Sequence, residues 1–160
     1  NWPGRMHEVV RASSGQRWLL EGAHNPSGME TSCRTLQRDE RWKNPWALLF
    51  GSTPQSEMGA MLEPLVNLCR RHPPVAIVLT EPQFGRYPGV PCTELANALG
   101  RHDLHISASF ANPQEAVAWV EAQSSTLTDV LCIGSLYLAG NVLQALGADD
   151  DEALSIVAKD

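Results

Sequence analysis

The sequence has few positively charged side chains and no long hydrophobic run. Lysine and arginine together number 12 against 18 aspartates and glutamates, and only Lys43 and Lys159 are lysines. A net charge of −6 disfavours a surface that binds phosphate backbones, so we expect no nucleic-acid partner. No apolar run is long enough to span a bilayer and no charged-then-apolar leader opens the chain, so we expect no membrane role.

Motifs for disulfides and metal sites are also missing. The cysteines never form a C-x-x-C pair, and the spacing of the histidines is not typical of a metal site. We therefore predict no metal site, and free thiols in the cytoplasm. The residues concerned are Cys33, Cys69, Cys92, Cys132, His7, His72, His102 and His105.

Strand and helix patterns alternate along a chain of single-domain size. Strands are predicted at residues 6–12, 17–20, 46–50, 75–80, 105–110 and 129–133. Helices are predicted at residues 26–41, 57–71, 93–99, 113–123 and 136–146, with a kink or break at Pro64. This rhythm and the apolar strands indicate an α/β fold, a Rossmann-like three-layer sandwich. Its mostly parallel sheet has about six strands and carries helices on both faces.

Two polar clusters follow predicted strands, residues 21–26 and residues 134–135. Ligands of parallel sheets gather at the carboxyl ends of the strands, so we expect the two clusters to converge there. Glu21 could accept hydrogen bonds from ribose hydroxyls, and Asn25 caps a helix whose positive end could face phosphate. His24 could donate to phosphate or titrate near neutrality. The alternative is a plain strand-to-helix turn, with a solvated Glu21, a surface His24 and a capping Asn25.

Three motifs in register carry a resemblance to a known family. They are W-P-G-R at residues 2–5, E-G-A-H-N-P at residues 21–26 and G-S-L-Y at residues 134–137. Together they resemble the carboxy-terminal domain of folylpolyglutamate synthase and dihydrofolate synthase, which are ATP-dependent ligases of the Mur ligase superfamily. The resemblance covers nearly the whole chain. It implies that residues 1–148 form the carboxy-terminal ligase domain, with residues 1–5 as the end of an interdomain linker and residues 149–160 as an acidic tail.

The resemblance also implies site residues. Arg5 would contact the phosphates of ATP and Glu21 its ribose, with Asn25 also at the nucleotide. His24 would lie close to the phosphates as the candidate catalytic residue. Ser135 would bind the incoming glutamate or cap the last helix, or do both, and Arg86 would meet a carboxylate of glutamate or be a solvated loop arginine.

The implied reaction joins L-glutamate to a folate through an acyl phosphate at the expense of ATP, with Mg²⁺. The motif G-x-x-x-x-G-K-[ST] is absent from these 160 residues, so the phosphate cradle is expected in other domains. The implied partners are an amino-terminal P-loop ATPase domain and a central domain of the same chain. We expect this domain to be inactive alone, to act as a lid over ATP, and to belong to a monomeric cytoplasmic enzyme.

Two departures from the family pattern leave alternatives open. The motif acid is usually aspartate, where this chain has Glu21, and residues 52–57 replace a D-K-D-like stretch. One alternative is a Mur-type ligase that acts on a cell-wall precursor. The other is a non-catalytic nucleotide-binding or regulatory module that has kept the scaffold.

Overall fold

A six-stranded sheet forms the centre of the computed structural model, which describes residues 4–147. The strands are β1 His7–Val10, β2 Arg17–Glu21, β3 Trp46–Phe50, β4 Ala76–Thr80, β5 Ala108–Phe110 and β6 Asp129–Ile133. The helices are α1 Pro26–Leu36, α2 Met58–Arg71, α3 Cys92–Gly100, α4 Pro113–Ala122 and α5 Leu136–Ala145, with one 3-10 turn at Glu40–Lys43.

The strand order is β1-β2-β6-β3-β4-β5, and only the β1–β2 pair is antiparallel. That pair is a hairpin formed by the first two predicted strands, in which His7 stands opposite Leu20. The order places β2 directly beside β6, with Glu21 in register with Ile133. The predicted convergence of the two polar clusters at one edge of the sheet is therefore confirmed.

Helices cover both faces of the sheet and enclose two separate apolar cores. Because side chains alternate along a strand, Leu19 packs beneath α1, α2 and α3, whereas Leu20 packs beneath α4 and α5. The three central strands are buried at every position, as continuous apolar strands of a covered parallel sheet should be. The predicted three-layer α/β sandwich with a mostly parallel sheet is confirmed.

The first helix is shorter than its predicted range, 26–41. It ends at Leu36 because the chain turns back on itself there. The indole Nε1 of Trp42 donates to the Leu36 carbonyl at 2.9 Å, and the Asp39 side chain accepts from the Arg41 N–H at 2.9 Å. These side chains satisfy backbone groups that a longer helix would have used.

Two further predictions differ from the structure. The fifth strand spans three residues, not 105–110, because the Ser107 hydroxyl accepts the Ile77 N–H at 3.2 Å before the regular pairing begins. Helix α2 runs unbroken through Pro64, where a break was one expectation. The carbonyl that loses its partner to this proline belongs to Ala60, which is exposed, so water can satisfy it.

Several predictions lie at or beyond the ends of the described range. The first two residues of W-P-G-R and the acidic tail 149–160 lie outside it.

Between residues 4 and 147, no helix is long and apolar enough to cross a membrane. All four cysteines are free and buried.

Candidate functional site

The last strand ends in Gly134-Ser135, and the serine is buried where helix α5 begins. Ser135 is 1% exposed, and its Oγ accepts the N–H groups of Tyr137 at 3.1 Å and Leu138 at 3.4 Å. Its predicted capping role is confirmed. Because Oγ already accepts two hydrogen bonds, its own hydrogen is what it can still offer a ligand. Glutamate binding by Ser135 stays a prediction.

Glu21 is a buried acid at the end of β2, so the alternative of a solvated Glu21 is wrong. The side chain is 3% exposed. Its Oε2 accepts the Met6 N–H at 3.0 Å and its Oε1 accepts the Ala23 N–H at 3.1 Å. Burial, helped by the nearby Glu21 carboxylate, raises the pKa of Cys33 to about 12. The contact between Glu21 and ribose stays a prediction, since both oxygens face backbone amides of this domain.

His24 and Asn25 form the turn into α1. The half-buried His24 ring lies with Nδ1 2.9 Å from the Gly22 carbonyl. Because a carbonyl only accepts, Nδ1 carries the proton, and Nε2 is left for another partner. Asn25 Oδ1 accepts the Gly28 N–H at 2.8 Å, with Pro26 as the first helical residue. The predicted cap is confirmed.

Arg5 is exposed on a backbone segment that crosses the start of α5. Gly4 and Met6, its two neighbours, adopt positive φ angles of 81° and 46°. A Cβ added to Gly4 would lie 3.0 Å from the Ala139 Cβ and 3.3 Å from the Leu136 Cδ1. The segment is thus packed against the helix that begins at Ser135.

Gly22 completes the contact among the three motifs. A Cβ at this position would lie 2.8 Å from the Leu136 Cδ1 and 3.0 Å from the Gly4 carbonyl oxygen. A larger residue at this position would require the Leu136 side chain and the backbone of Gly4 to shift, because the first motif and the third both pack against the second. The structure therefore brings the described parts of all three motifs to one place at the carboxyl edge of the sheet.

Arg86 lies on the exposed loop 81–91, which is tied to the same helix. The Gln83 N–H donates to Asn141 Oδ1 at 2.9 Å, and Asn141 Nδ2 donates to the Gln83 carbonyl at 3.1 Å. A Cβ on Gly85 would lie 2.9 Å from the ring of Tyr137. Arg86 itself is exposed, with its guanidinium 5.9 Å from the centre of the Tyr87 ring. The loop thus holds Arg86 beside the first turn of α5.

Sequence reasoning missed several residues of this edge. It assigned Met6 to a strand, whereas the backbone there is left-handed and its N–H is held by Glu21. It also gave no role to Phe84, which is 87% exposed with a φ of 63°. In the observed hairpin the pairing of His7 with Leu20 sets Met6 opposite Glu21, a register that the sequence pattern does not give. No local pattern marks Phe84.

Positive charge and helix amino ends meet at this edge of the sheet, and both favour an anion. Arg5 supplies a permanent positive charge, and the amino ends of α1 and α5 both open at this edge. In residues 4–147 no group of three His, Cys, Asp or Glu side chains is arranged to hold a metal.

No protein-family model and no curated protein sequence matches this chain. Solved structures do match, and several are folylpolyglutamate synthases. The enzyme of Thermotoga maritima aligns with 97% of the chain at 20% identity and a TM-score of 0.69. That of Mycobacterium tuberculosis, complexed with ADP and AMPPCP, aligns with 94% at 20% identity and a TM-score of 0.70. FolC of E. coli, in complex with ADP, aligns with 91% at 21% identity and a TM-score of 0.67.

The chain spans about a third of the length of these proteins: 33%, 34% and 32% respectively. At such identities the likeness concerns the fold. The resemblance read from the three motifs is confirmed at that level, because nearly all of this chain superimposes on part of each enzyme.

Proposed function

We propose that this chain is the carboxy-terminal domain of an ATP-dependent ligase that adds L-glutamate to folates. The observation that carries the proposal is the meeting of three separate motifs around Gly22, at the edge where ligands of parallel sheets bind. The fold likeness to folylpolyglutamate synthases supports it independently, because it does not rest on the wording of the motifs.

The nucleotide side of the proposal concerns Arg5, His24 and Asn25. The exposed guanidinium of Arg5 contacts the phosphates, where its fixed charge and paired N–H donors suit oxygens that gain charge during transfer. His24 donates from Nε2 to the same group in its doubly protonated form, because Nδ1–H already binds the Gly22 carbonyl, and the helix capped by Asn25 opens towards it. The contact between Glu21 and the ribose stays part of the proposal, and because the side chain is 3% exposed it requires the surrounding backbone to move when the nucleotide binds.

The amino-acid side of the proposal concerns Ser135 and Arg86. Arg86 pairs with a carboxylate of glutamate, and the Ser135 hydroxyl donates to the same substrate while it caps α5. Both residues lie around the first turn of one helix, with Arg86 exposed and Ser135 1% exposed, so shared binding of one dicarboxylate requires the first turn of α5 to open towards it. This arrangement would hold the glutamate amine ready to attack an acyl phosphate.

The remaining parts of the reaction belong to other domains of a longer parent enzyme. The parent supplies the phosphate-binding loop, the ligands of Mg²⁺ and the folate site. A domain without these groups closes over ATP and excludes water but has no activity alone. The four free, buried thiols suit the reducing cytoplasm.

A non-catalytic nucleotide-binding or regulatory module is the second candidate. It is favoured by the position of Glu21, whose two oxygens each accept a backbone N–H and whose side chain is only 3% exposed to a ligand. Under this reading the parent carries no intact phosphate-binding loop and no ligase activity. Sequencing of the region upstream of residue 1 separates the two candidates directly.

The proposed phosphate contact is tested by Arg5→Ala in the full-length parent. We expect the KM for ATP to rise at least about tenfold, since a charge-assisted hydrogen bond is lost. Arg38→Ala is the matched control, because Arg38 is also exposed and lies beyond α1, away from this edge. Equal ATP kinetics in both variants would remove Arg5 from the site.

A further inference from the structure

We infer that Glu21 is a positioning residue that clamps the backbone of residues 4–6 to the end of β2 and so fixes the point from which Arg5 projects. The use of Arg5 for phosphate rests on the proposed function, whereas the clamp itself does not. This role differs from a contact between Glu21 and ribose. Glu21, the acid of E-G-A-H-N-P, thereby holds the peptide bond that directly follows W-P-G-R.

The hairpin register explains why the clamp forms here. His7 pairs with Leu20, so Met6 stands opposite Glu21, but strand β1 begins only at His7. The Met6 N–H therefore lacks a place in the regular strand pairing. The Glu21 side chain accepts this N–H at 3.0 Å, and a side-chain hydrogen bond replaces the missing backbone one.

The clamped segment has an unusual shape. Gly4 and Met6, on either side of Arg5, both have positive φ angles, and a left-handed methionine persists only where its surroundings enforce it. The Met6 side chain packs against the core beneath α1, α2 and α3. With Gly4 against Leu136 at the other end, the segment is anchored on both sides while Arg5 stays exposed between them.

The length of glutamate suits this task. One carboxylate oxygen accepts the Ala23 N–H within the same turn, while the other reaches the neighbouring strand. Aspartate, one methylene shorter, cannot hold both amides from the same backbone position. Glutamine has the length, but its NH₂ group would face one of two N–H donors and leave that donor unsatisfied.

The clamp can be tested by limited proteolysis with trypsin. The Met6 N–H belongs to the Arg5–Met6 peptide bond, which is a trypsin site. A protease must pull this bond into an extended conformation, and the clamp holds it in a left-handed turn. We expect the bond to resist trypsin in the wild-type parent and to be cut at least about tenfold faster in Glu21→Gln and Glu21→Asp, because a charge-assisted hydrogen bond is lost.

Cleavage after Arg86, in the exposed loop, serves as the internal reference, because general destabilisation would accelerate both sites. Glu115→Gln removes a negative charge from an exposed position of α4 and should leave both rates unchanged. If Glu21→Gln does not fold, Glu21→Asp carries the test alone. Faster cleavage at Arg5–Met6 with an unchanged rate at Arg86 supports the clamp.

Kinetics then connect the clamp to Arg5. Glu21→Asp should raise the KM for ATP, as Arg5→Ala does. The KM for ATP of the double variant should not exceed that of Arg5→Ala alone. Unchanged trypsin cleavage and unchanged ATP kinetics in Glu21→Asp would overturn the inference and favour a ribose contact that aspartate can also make. Failure of the proposed ligase function would appear as absent activity in the wild type, with the proteolysis result unaffected.

Discussion

Gly134 and Gly51 approach each other so closely that a methyl group on Gly134 would overlap the carbonyl oxygen of Gly51. The same methyl group would lie 2.7 Å from Cε2 of the Phe50 ring, and the backbone of Gly134 has a φ of 121°, which favours glycine. A Cβ on Gly51 would in turn lie 2.6 Å from the Thr80 carbonyl oxygen. The ends of β3, β4 and β6 therefore close against one another, and this closure fixes the place of Ser135.

Gly134→Ala should destabilise the chain by about 3 kcal/mol or more, because overpacking and a disfavoured backbone angle add together. Chemical denaturation of the chain measures this. Gly140→Ala is the matched control, since Gly140 is exposed in α5 with no atom within 4 Å of an added Cβ, and it should stabilise by about 0.5–1 kcal/mol. Equal stability of the two variants would refute the close packing.

Ser135→Ala should cost about 1 kcal/mol of stability through loss of the cap and should also raise the KM for glutamate in the parent. Asn112→Ala separates the two effects. It removes a similar cap from α4, which follows β5, the edge strand on the other side of the sheet from the β1–β2 pair. Denaturation and glutamate kinetics check both variants. A glutamate KM that is unchanged in Ser135→Ala would leave Ser135 with the capping role only.

The four thiols should react very slowly with a thiol-specific disulfide reagent in the native chain at pH 8. Burial raises the pKa of Cys33 and Cys69 to about 12 and that of Cys92 to about 11, and it also raises the pKa of Cys132. The reactive thiolate is thus scarce as well as inaccessible. All four should react at once in denaturant. Rapid labelling of a thiol in the native chain would contradict the packing of that residue.

Acidification should weaken the fold through His7. Burial lowers the pKa of His7 in the folded chain, so below about pH 6.5 the unfolded state binds a proton that the folded state does not. The stabilisation is therefore present above pH 6.5 and is lost as the pH falls towards the folded pKa. Denaturation at pH 7.0, 6.0 and 5.5 should give a smaller loss in His7→Gln than in the wild type.

The control for that measurement is His105→Gln, at an exposed position before β5. It should keep the acid dependence of the wild type. An identical loss of stability with falling pH in His7→Gln and the wild type would show that other groups cause it.

Most of the fold was predictable because its signals are local. The all-apolar runs at β3, β4 and β6 predicted buried strands, and the Asn-Pro pairs at residues 25–26 and 112–113 predicted two helix starts with their caps. The end of α1 was not predictable in this way. It depends on a hydrogen bond from Trp42, whose partner is set by tertiary packing rather than by helix propensity.

The candidate site was predictable as a location but not as an arrangement. Strand-end motifs identified Glu21 and Ser135, because parallel strands bring their carboxyl ends to one edge. The direction of the Glu21 carboxylate depends on where strand pairing stops, and no propensity encodes that point. The left-handed backbone at Met6 is likewise imposed by its neighbours and runs against the preference of methionine itself.

The proposed ligase activity is tested most directly by incorporation of labelled glutamate by the full-length parent with Mg²⁺ and ATP. The acceptors are dihydropteroate and tetrahydrofolate, each assayed alone, with Arg5→Ala as the weakened variant. We predict ATP-dependent incorporation into at least one acceptor, and the acceptor used identifies a dihydrofolate synthase, a polyglutamylating enzyme or one with both activities. Folded parent protein that glutamylates neither acceptor would contradict the proposed folate ligase function.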